Sequence, residues 1–400
     1  MIFFVSKTLT HNSGLPQAGK DILIALLTTG EPIIVVTKTK CLLPQKIENQ
    51  LVPLPQWVFP IEKIASAKSI QRKRQLLSFL IQWIQKKILE IIKNQRDKQL
   101  KAYNPHRIVV NGLSNHTFWQ NISPEVTEQM VLIVHVSPRH FVPPKSETLD
   151  WAIKIMNQYK ALIFVSSRCR DEWSSLIDVS NKRISYIPNC CKEDEIKKIT
   201  SVTKEKTKEK LSLSLKDFVA VCVASLQPRK NQTLLLDVFP KLIQIVPNLK
   251  LYLIGPISLN PSWAKSLLKT IKVKGFSNQI QYLGSKENAK EFIYAADVLL
   301  LPSLAEAMPC VILEAMALKT PIIASEVDGI PELIENESTG FLFSPKDPQT
   351  LVEAFKKMAN NLEETQKYTD NAYHKYWQEF SQSKQIERYH RFLANLNNGN

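Results

Sequence analysis

Residues 306–314 read EAMPCVILE, in which two carboxylates flank seven residues with no other charge between them. Glutamates in so apolar a run are not explained by solubility. A carboxylate beside a bound sugar or ribose accepts paired hydrogen bonds from vicinal hydroxyls. Pro309 divides the run, because proline fits the first position of a helix, where its missing N–H costs nothing. The spacing therefore predicts a helix from Pro309 to about Lys319, with Glu306 in the loop before it and Glu314 more than one turn inside. The unpaired N–H groups and partial positive charge of such a helix start suit a diphosphate. Spacing alone leaves a second reading open, in which Glu306 caps the helix and Glu314 faces solvent.

The elements that must hold these groups can be read from the apolar pattern. VLLLPS (298–303) and PIIAS (321–325) are expected strands on either side of the segment. Strand–loop–helix–strand units of this kind bind ligands at the carboxyl ends of their strands. The same alternation runs through the chain. Residues 2–5, 33–36, 107–112, 131–136, 162–166 and 184–188 read as buried strands, and a second series follows at 218–226, 249–255 and 280–284. Continuous apolar runs bounded by turns, with helices between, predict parallel sheets covered on both faces. KDILIALLTTG (20–30) reads as a helix ending at glycine, and 72–96 as the longest helix. The charged stretch 192–211 carries no aromatic residue and reads as a solvated helix or linker between the two series. Two successive α/β units imply two Rossmann-like domains facing a cleft. The expected division is 1–190 and 191–375, with a C-terminal amphipathic helix at about 376–396 packing back on the first domain.

Composition narrows the class. The 400 residues are 44% hydrophobic and 22% charged, as in a globular protein with substantial cores. No apolar run is long enough to cross a membrane as a helix, and the N-terminal MIFFVSKTL reads as a buried strand instead of a signal peptide. The six cysteines form no CxxC pair and no histidine pair has metal-ligand spacing, so free thiols in a reducing cytoplasm, and no metal site, are expected. A formal charge of +15 suits a polyanionic partner or simply a basic proteome. Nucleic acid is not the expected partner, because no RNP, KH, zinc-finger or helix-turn-helix pattern occurs.

Residues 302–355, PSLAEAMPCVILEAMALKTPIIASEVDGIPELIENESTGFLFSPKDPQTLVEAF, resemble the signature region of family 4 retaining glycosyltransferases (glycosyl transferases group 1), which have the GT-B fold. The carriers are Glu306 and Glu314 at the family's spacing, LEAMA at 313–317, the Gly-x-Pro-Glu turn at 329–332 and the glycine-led strand at 340–342. The resemblance implies that Glu314 holds the ribose of a nucleotide diphosphate sugar and that Glu306 contacts the donor sugar. It implies that the backbone between them, including Met308 and Cys310, lies against sugar and phosphates. VASLQPRKNQTLLLDVF (223–239) resembles the family's loop whose cations neutralise the leaving diphosphate, here Arg229 and Lys230, with Ser225 where relatives have arginine. Gly14 resembles the second glycine of an N-terminal phosphate-approach loop, and His135 a cleft-facing histidine at a strand end, although a lone histidine is also a common structural residue. YIPNC (186–190) resembles the family's Ile-Pro-Asn-Gly junction, with Cys190 in place of glycine.

The implied reaction is transfer of a sugar from a nucleotide diphosphate sugar to an acceptor hydroxyl with retention, in polysaccharide, lipopolysaccharide or glycolipid synthesis. Retention in hydrolases uses a carboxylate nucleophile; the resemblance implies front-face attack instead, with Glu306 positioning the sugar. No cofactor or metal is implied, since the nucleotide sugar is a substrate. The expected partners are that donor and a glycan or lipid-linked acceptor. The alternative is a GT-B nucleotide-sugar-binding protein that is catalytically degenerate, or an epimerase or synthase. A cytoplasmic location is expected. The basic residues on 72–96 and its flanks read either as a patch for the inner face of an anionic membrane or as an ordinary solvated edge.

Overall fold

The computed structural model describes residues 2–6, 14–29, 33–37, 107–113, 128–141, 146–257 and 261–397. The expected helix over 72–96, with its basic flanks, lies outside the described residues, as does Cys41.

Among the described residues, two six-stranded sheets with every pairing parallel organise the fold. The first contains β1 (Ile2–Ser6), β2 (Ile33–Thr37), β3 (Arg107–Asn111), β4 (Met130–Val134), β5 (Ala161–Phe164) and β6 (Arg183–Tyr186), in the order β2-β1-β3-β4-β5-β6. The second contains β7 (Phe218–Val223), β8 (Leu249–Ile254), β9 (Ile280–Gly284), β10 (Val298–Leu301), β11 (Ile322–Ser325) and β12 (Phe341–Phe343), in the order β12-β11-β10-β7-β8-β9. Strands such as MVLIV and VLLL are buried along their whole length, which is why they read as unbroken apolar runs and not as alternation.

In each sheet the strand order reverses once, between β1 and β3 in the first and between β7 and β10 in the second. Such a reversal leaves a crevice at the carboxyl ends of the two central strands, because the connections leave them in opposite directions. The loop after β7 carries Arg229 and Lys230, and the loop after β10 carries Glu306. Topology alone therefore delivers the two cations and the carboxylate to one crevice.

Several local expectations need correction. The helix expected to begin near residue 20 runs over Gly14–Leu27, so Gly14 is its first residue; Pro16 falls in the first turn, where no intrahelical N–H bond is required. Pro309 is the N-cap of helix Cys310–Ala317, with extended ψ of 114°, and the helix stops short of Lys319, whose φ is 52°. The 192–211 segment is not a free linker. It forms helices Glu193–Thr200 and Lys204–Lys210, buries Ile196 and Thr207, and packs on helix Ala289–Ala295. One or two inward positions per short helix suffice, and the charge that hid them lies outward. In the first helix, acidic residues occupy the first turn and lysines the last, matching the helix dipole.

The chain passes from the first sheet to the second near residue 187 and returns at its end. Helix Leu362–Lys375 continues through a π-turn at 376–380 into helix Gln382–Asn397, which packs on helix Gly14–Leu27. Arg107 Nη2 and Arg183 Nη1 both donate to the Leu396 carbonyl, at 2.9 and 3.1 Å. These bonds satisfy carbonyls that a helix C-terminus leaves unpaired.

Candidate functional site

A cavity of about 1040 Å³ lies between the two sheets. Its wall includes Glu306, Met308, Cys310, Glu314, Arg229, Lys230 and His135, together with Ser225 and Asn189. Gly14, the remaining sequence-predicted residue, is the first residue of helix Gly14–Leu27, and Ala18, one turn later, lines the cavity.

The loop from β10 to helix Cys310–Ala317 is held at nearly every residue. Leu304 N donates to the Arg229 carbonyl at 2.8 Å, and Arg229 Nη1 donates back to the Ala305 carbonyl. Ser303 Oγ donates to Glu306 Oε1 at 2.8 Å. Glu306 N donates to Asp328 Oδ2 at 2.9 Å, and the Glu306 carbonyl accepts from Gly329 N at 3.0 Å. Asn189 Nδ2 donates to the Met308 carbonyl at 3.2 Å.

Glu306 is 7% exposed, so its charge must be compensated locally. Lys230 Nζ pairs with Oε1, and Arg229 Nη1 lies 3.5 Å from Oε2. Burial pushes the Glu306 pKa up, but Lys230, Arg229 and the Ser303 hydroxyl outweigh it and hold the carboxyl below its ordinary range. At neutral pH Glu306 is a carboxylate and has no proton to give. Glu314, 8% exposed and more than one turn inside helix Cys310–Ala317, differs. Its nearest cation, Lys290 Nζ at 3.8 Å, is also the partner of Glu195 Oε2 at 2.5 Å. One ammonium shared between two carboxylates does not offset burial at the more distant one, so the Glu314 pKa is raised while Lys290 stays charged.

His135 follows β4 and lines the cavity from the side of the first sheet. Its Nε2–H donates to Asn111 Oδ1 at 2.6 Å, which leaves the other ring nitrogen as an acceptor. Burial pulls its pKa down to about 4, so the ring is neutral at pH 7. Leu113, Val136, Phe141 and Trp151 add an apolar wall beside it. Among the described residues no cluster of His, Cys, Asp and Glu could hold a metal ion, and no helix is long and apolar enough to cross a membrane.

Sequence reasoning missed Lys290, Glu195 and Asp328. Lys290 and Glu195 sit in charged stretches that look solvated, and only packing makes them neighbours of Glu314. Asp328 adjoins the Gly-x-Pro-Glu turn, whose pattern is visible in the sequence while its contact with Glu306 is not.

Residues 203–375 match the family model described as glycosyl transferases group 1. The chain is 29% identical over 186 residues to UDP-Gal:alpha-D-GlcNAc-diphosphoundecaprenol alpha-1,3-galactosyltransferase of Escherichia coli, covering 46% of this chain and 47% of that protein. It is 25% identical over 182 residues to N-acetyl-alpha-D-glucosaminyl L-malate synthase of Bacillus anthracis, covering 46% of each. The chain thus spans about half the length of the curated relatives it matches. Among solved structures it is similar to Anabaena HepE in complex with UDP-glucose, with TM-score 0.74, 20% identity and coverage of 98% and 99%. It is equally similar to sucrose-phosphate synthase from Thermosynechococcus elongatus, with TM-score 0.75, 17% identity and coverage of 100% and 99%. At such identities the likeness carries the fold: two facing parallel α/β domains, the GT-B architecture.

Proposed function

We propose, from the premise that residues 203–375 form a glycosyl transferases group 1 domain within a GT-B fold, that this protein is a retaining glycosyltransferase. It moves a sugar from a nucleotide diphosphate sugar to an acceptor hydroxyl. The carrying observation is that Glu306, Glu314, Arg229, Lys230 and His135 meet in one cavity at the point where the second sheet reverses its strand order. Glu314 accepts the ribose hydroxyls. Met308 and Cys310, at the start of helix Cys310–Ala317, face the diphosphate.

In the reaction the bond between the anomeric carbon and the diphosphate oxygen breaks, and its electron pair leaves with the nucleotide. Arg229 and Lys230 stabilise that growing charge, the part a divalent cation takes in other transferases. The acceptor oxygen bonds to the anomeric carbon on the same face, and its proton passes to the departing diphosphate. Glu306, held ionised by the same two cations, orients the sugar hydroxyls. His135, neutral and with a free ring acceptor, lies on the opposite wall to receive a sugar hydroxyl. Phe141 and Trp151 line the cavity and supply apolar surface for a glycan. A lipid-linked acceptor at a membrane surface in envelope polysaccharide or glycolipid synthesis fits a basic chain, and the Escherichia coli relative bears a diphosphoundecaprenol substrate in its name.

A thermal-shift screen against UDP-, GDP- and ADP-sugars tests the reading, since a bound donor stabilises the fold by mass action. One nucleotide class is expected to raise the melting temperature, with transfer persisting in chelator. Glu306→Ala should abolish transfer while leaving that shift in place. Absence of any shift, or activity lost in chelator and restored by manganese, contradicts the proposal.

A further inference from the structure

We infer that Asp328 is a positioning residue that ties the placement of Glu306 to contact between the two domains. The inference rests on the role proposed above for Glu306 and adds how that residue is set.

Asp328 is fully buried, in the left-handed region at φ 42°. Its Oδ2 accepts two hydrogen bonds from different domains. One comes from the Glu306 main-chain N–H at 2.9 Å, the other from Ser137 Oγ at 2.8 Å, in the loop after β4. Its Oδ1 lies 3.5 Å from Arg139 Nε, on the same loop of the first domain. A buried carboxylate is tolerated only where charge-assisted donors surround it. Here one hydrogen-bond donor is the residue to be positioned and the other, Ser137, belongs to the opposing domain, while Oδ1 has no hydrogen-bond partner among the described residues and faces only the Arg139 charge.

The neighbouring residues repeat the arrangement. Gly329 N donates to the Glu306 carbonyl at 3.0 Å, so Glu306 is gripped through both its amide and its carbonyl. Three residues on, Glu332 crosses the cleft to the N-terminus of helix Ser167–Ser174, accepting from Ser166 Oγ, Ser167 N and Arg168 N at 2.7 to 3.0 Å. One short turn thus holds the Glu306 loop with one side and the first domain with the other. If the domains part, Ser137 and Arg139 withdraw, and Asp328 keeps a buried charge with a single main-chain donor. Such a state is costly, so the turn and the Glu306 loop must shift together. Domain contact and a correctly seated Glu306 are then one event.

Hydrogen exchange on the full-length protein, read at the peptide spanning residues 302–309, tests this directly. Ser137→Ala removes only the cross-domain donor and does not touch Glu306, yet exchange there is expected to rise about tenfold. Asp328→Asn should raise it further. In transfer assays both variants should lose kcat, Ser137→Ala by about tenfold, with nucleotide diphosphate affinity by calorimetry within twofold of the parent. Wild-type exchange at 302–309 in Ser137→Ala overturns the coupling, as does a parallel loss of nucleotide affinity and melting temperature. Failure of the parent chain to bind any nucleotide sugar sinks the proposed activity instead, and leaves the exchange result interpretable.

Discussion

His135 and Glu314 titrate in opposite senses for reasons visible in their neighbours. The folded His135 ring takes up a proton only near pH 4, against 6.5 in the unfolded chain. Between those values the unfolded state holds more protons, so stability rises with pH across that window. The contribution is complete above about pH 6.5 and is lost as pH falls toward 4. It amounts to at most about 3 kcal/mol, because the ring opens on the cavity on one side. Urea melts at about pH 7 and pH 4.5 should show this loss, and His135→Gln should show a flatter profile. For Glu314 the concern is binding. In the role proposed for it, its ionised form accepts hydrogen bonds from the ribose hydroxyls, and Lys290 favours that form against burial and against Glu195. Lys290→Met should weaken nucleotide diphosphate affinity about tenfold or more near neutral pH. Raising the pH should recover part of the loss. Calorimetry at two pH values checks it, and an unchanged pH profile would assign Lys290 a packing role only.

The loop between β10 and helix Cys310–Ala317 illustrates what an element adds to its residues. Gly329 has φ of −82°, open to any residue, yet a Cβ there would lie 1.7 Å from the Ala307 carbonyl oxygen. The glycine is required by close approach, not by backbone conformation. Gly329→Ala should cost about 1–3 kcal/mol through overpacking and push the Glu306 loop out of place. Because misplacement by an ångström costs about a hundredfold in rate, transfer should fall far more than stability. Rate and denaturant midpoint measured on the same preparation separate the two effects. The Gly-x-Pro-Glu turn was plain in the sequence as a pattern. Its role as the clamp on Glu306 was not, since the two segments are separated by a helix and a strand.

At the scale of the molecule, the chain ends where it began. Tyr389 and Leu393 on helix Gln382–Asn397 are buried, and that helix seats on helix Gly14–Leu27 of the first domain. The last helix therefore closes the first domain's surface, although its sequence neighbours belong to the second. Tyr389→Ala should cost about 3 kcal/mol or more, as for other large core aromatics. A denaturant melt that barely moves would show that this helix contributes little to the fold.

Much of this was legible in the amino-acid order because it is local. Unbroken apolar runs mark buried parallel strands, proline marks a helix start to within one residue, and the 306–314 spacing splits two carboxylates between loop and helix. The cations at 229 and 230 were legible as a motif. Other features depend on which distant segments meet, and these the tertiary structure decided. Lys230 and Arg229 hold Glu306 ionised because two loops leave adjacent strands at a reversal of sheet order. Glu314 shares Lys290 with Glu195 because a segment that reads as a solvated helix or linker folds against the second domain. Asp328 reaches Ser137 only when the domains face each other. Strand propensity and turn chemistry act over a few residues, whereas desolvation and charge pairing depend on neighbours that sequence separation conceals.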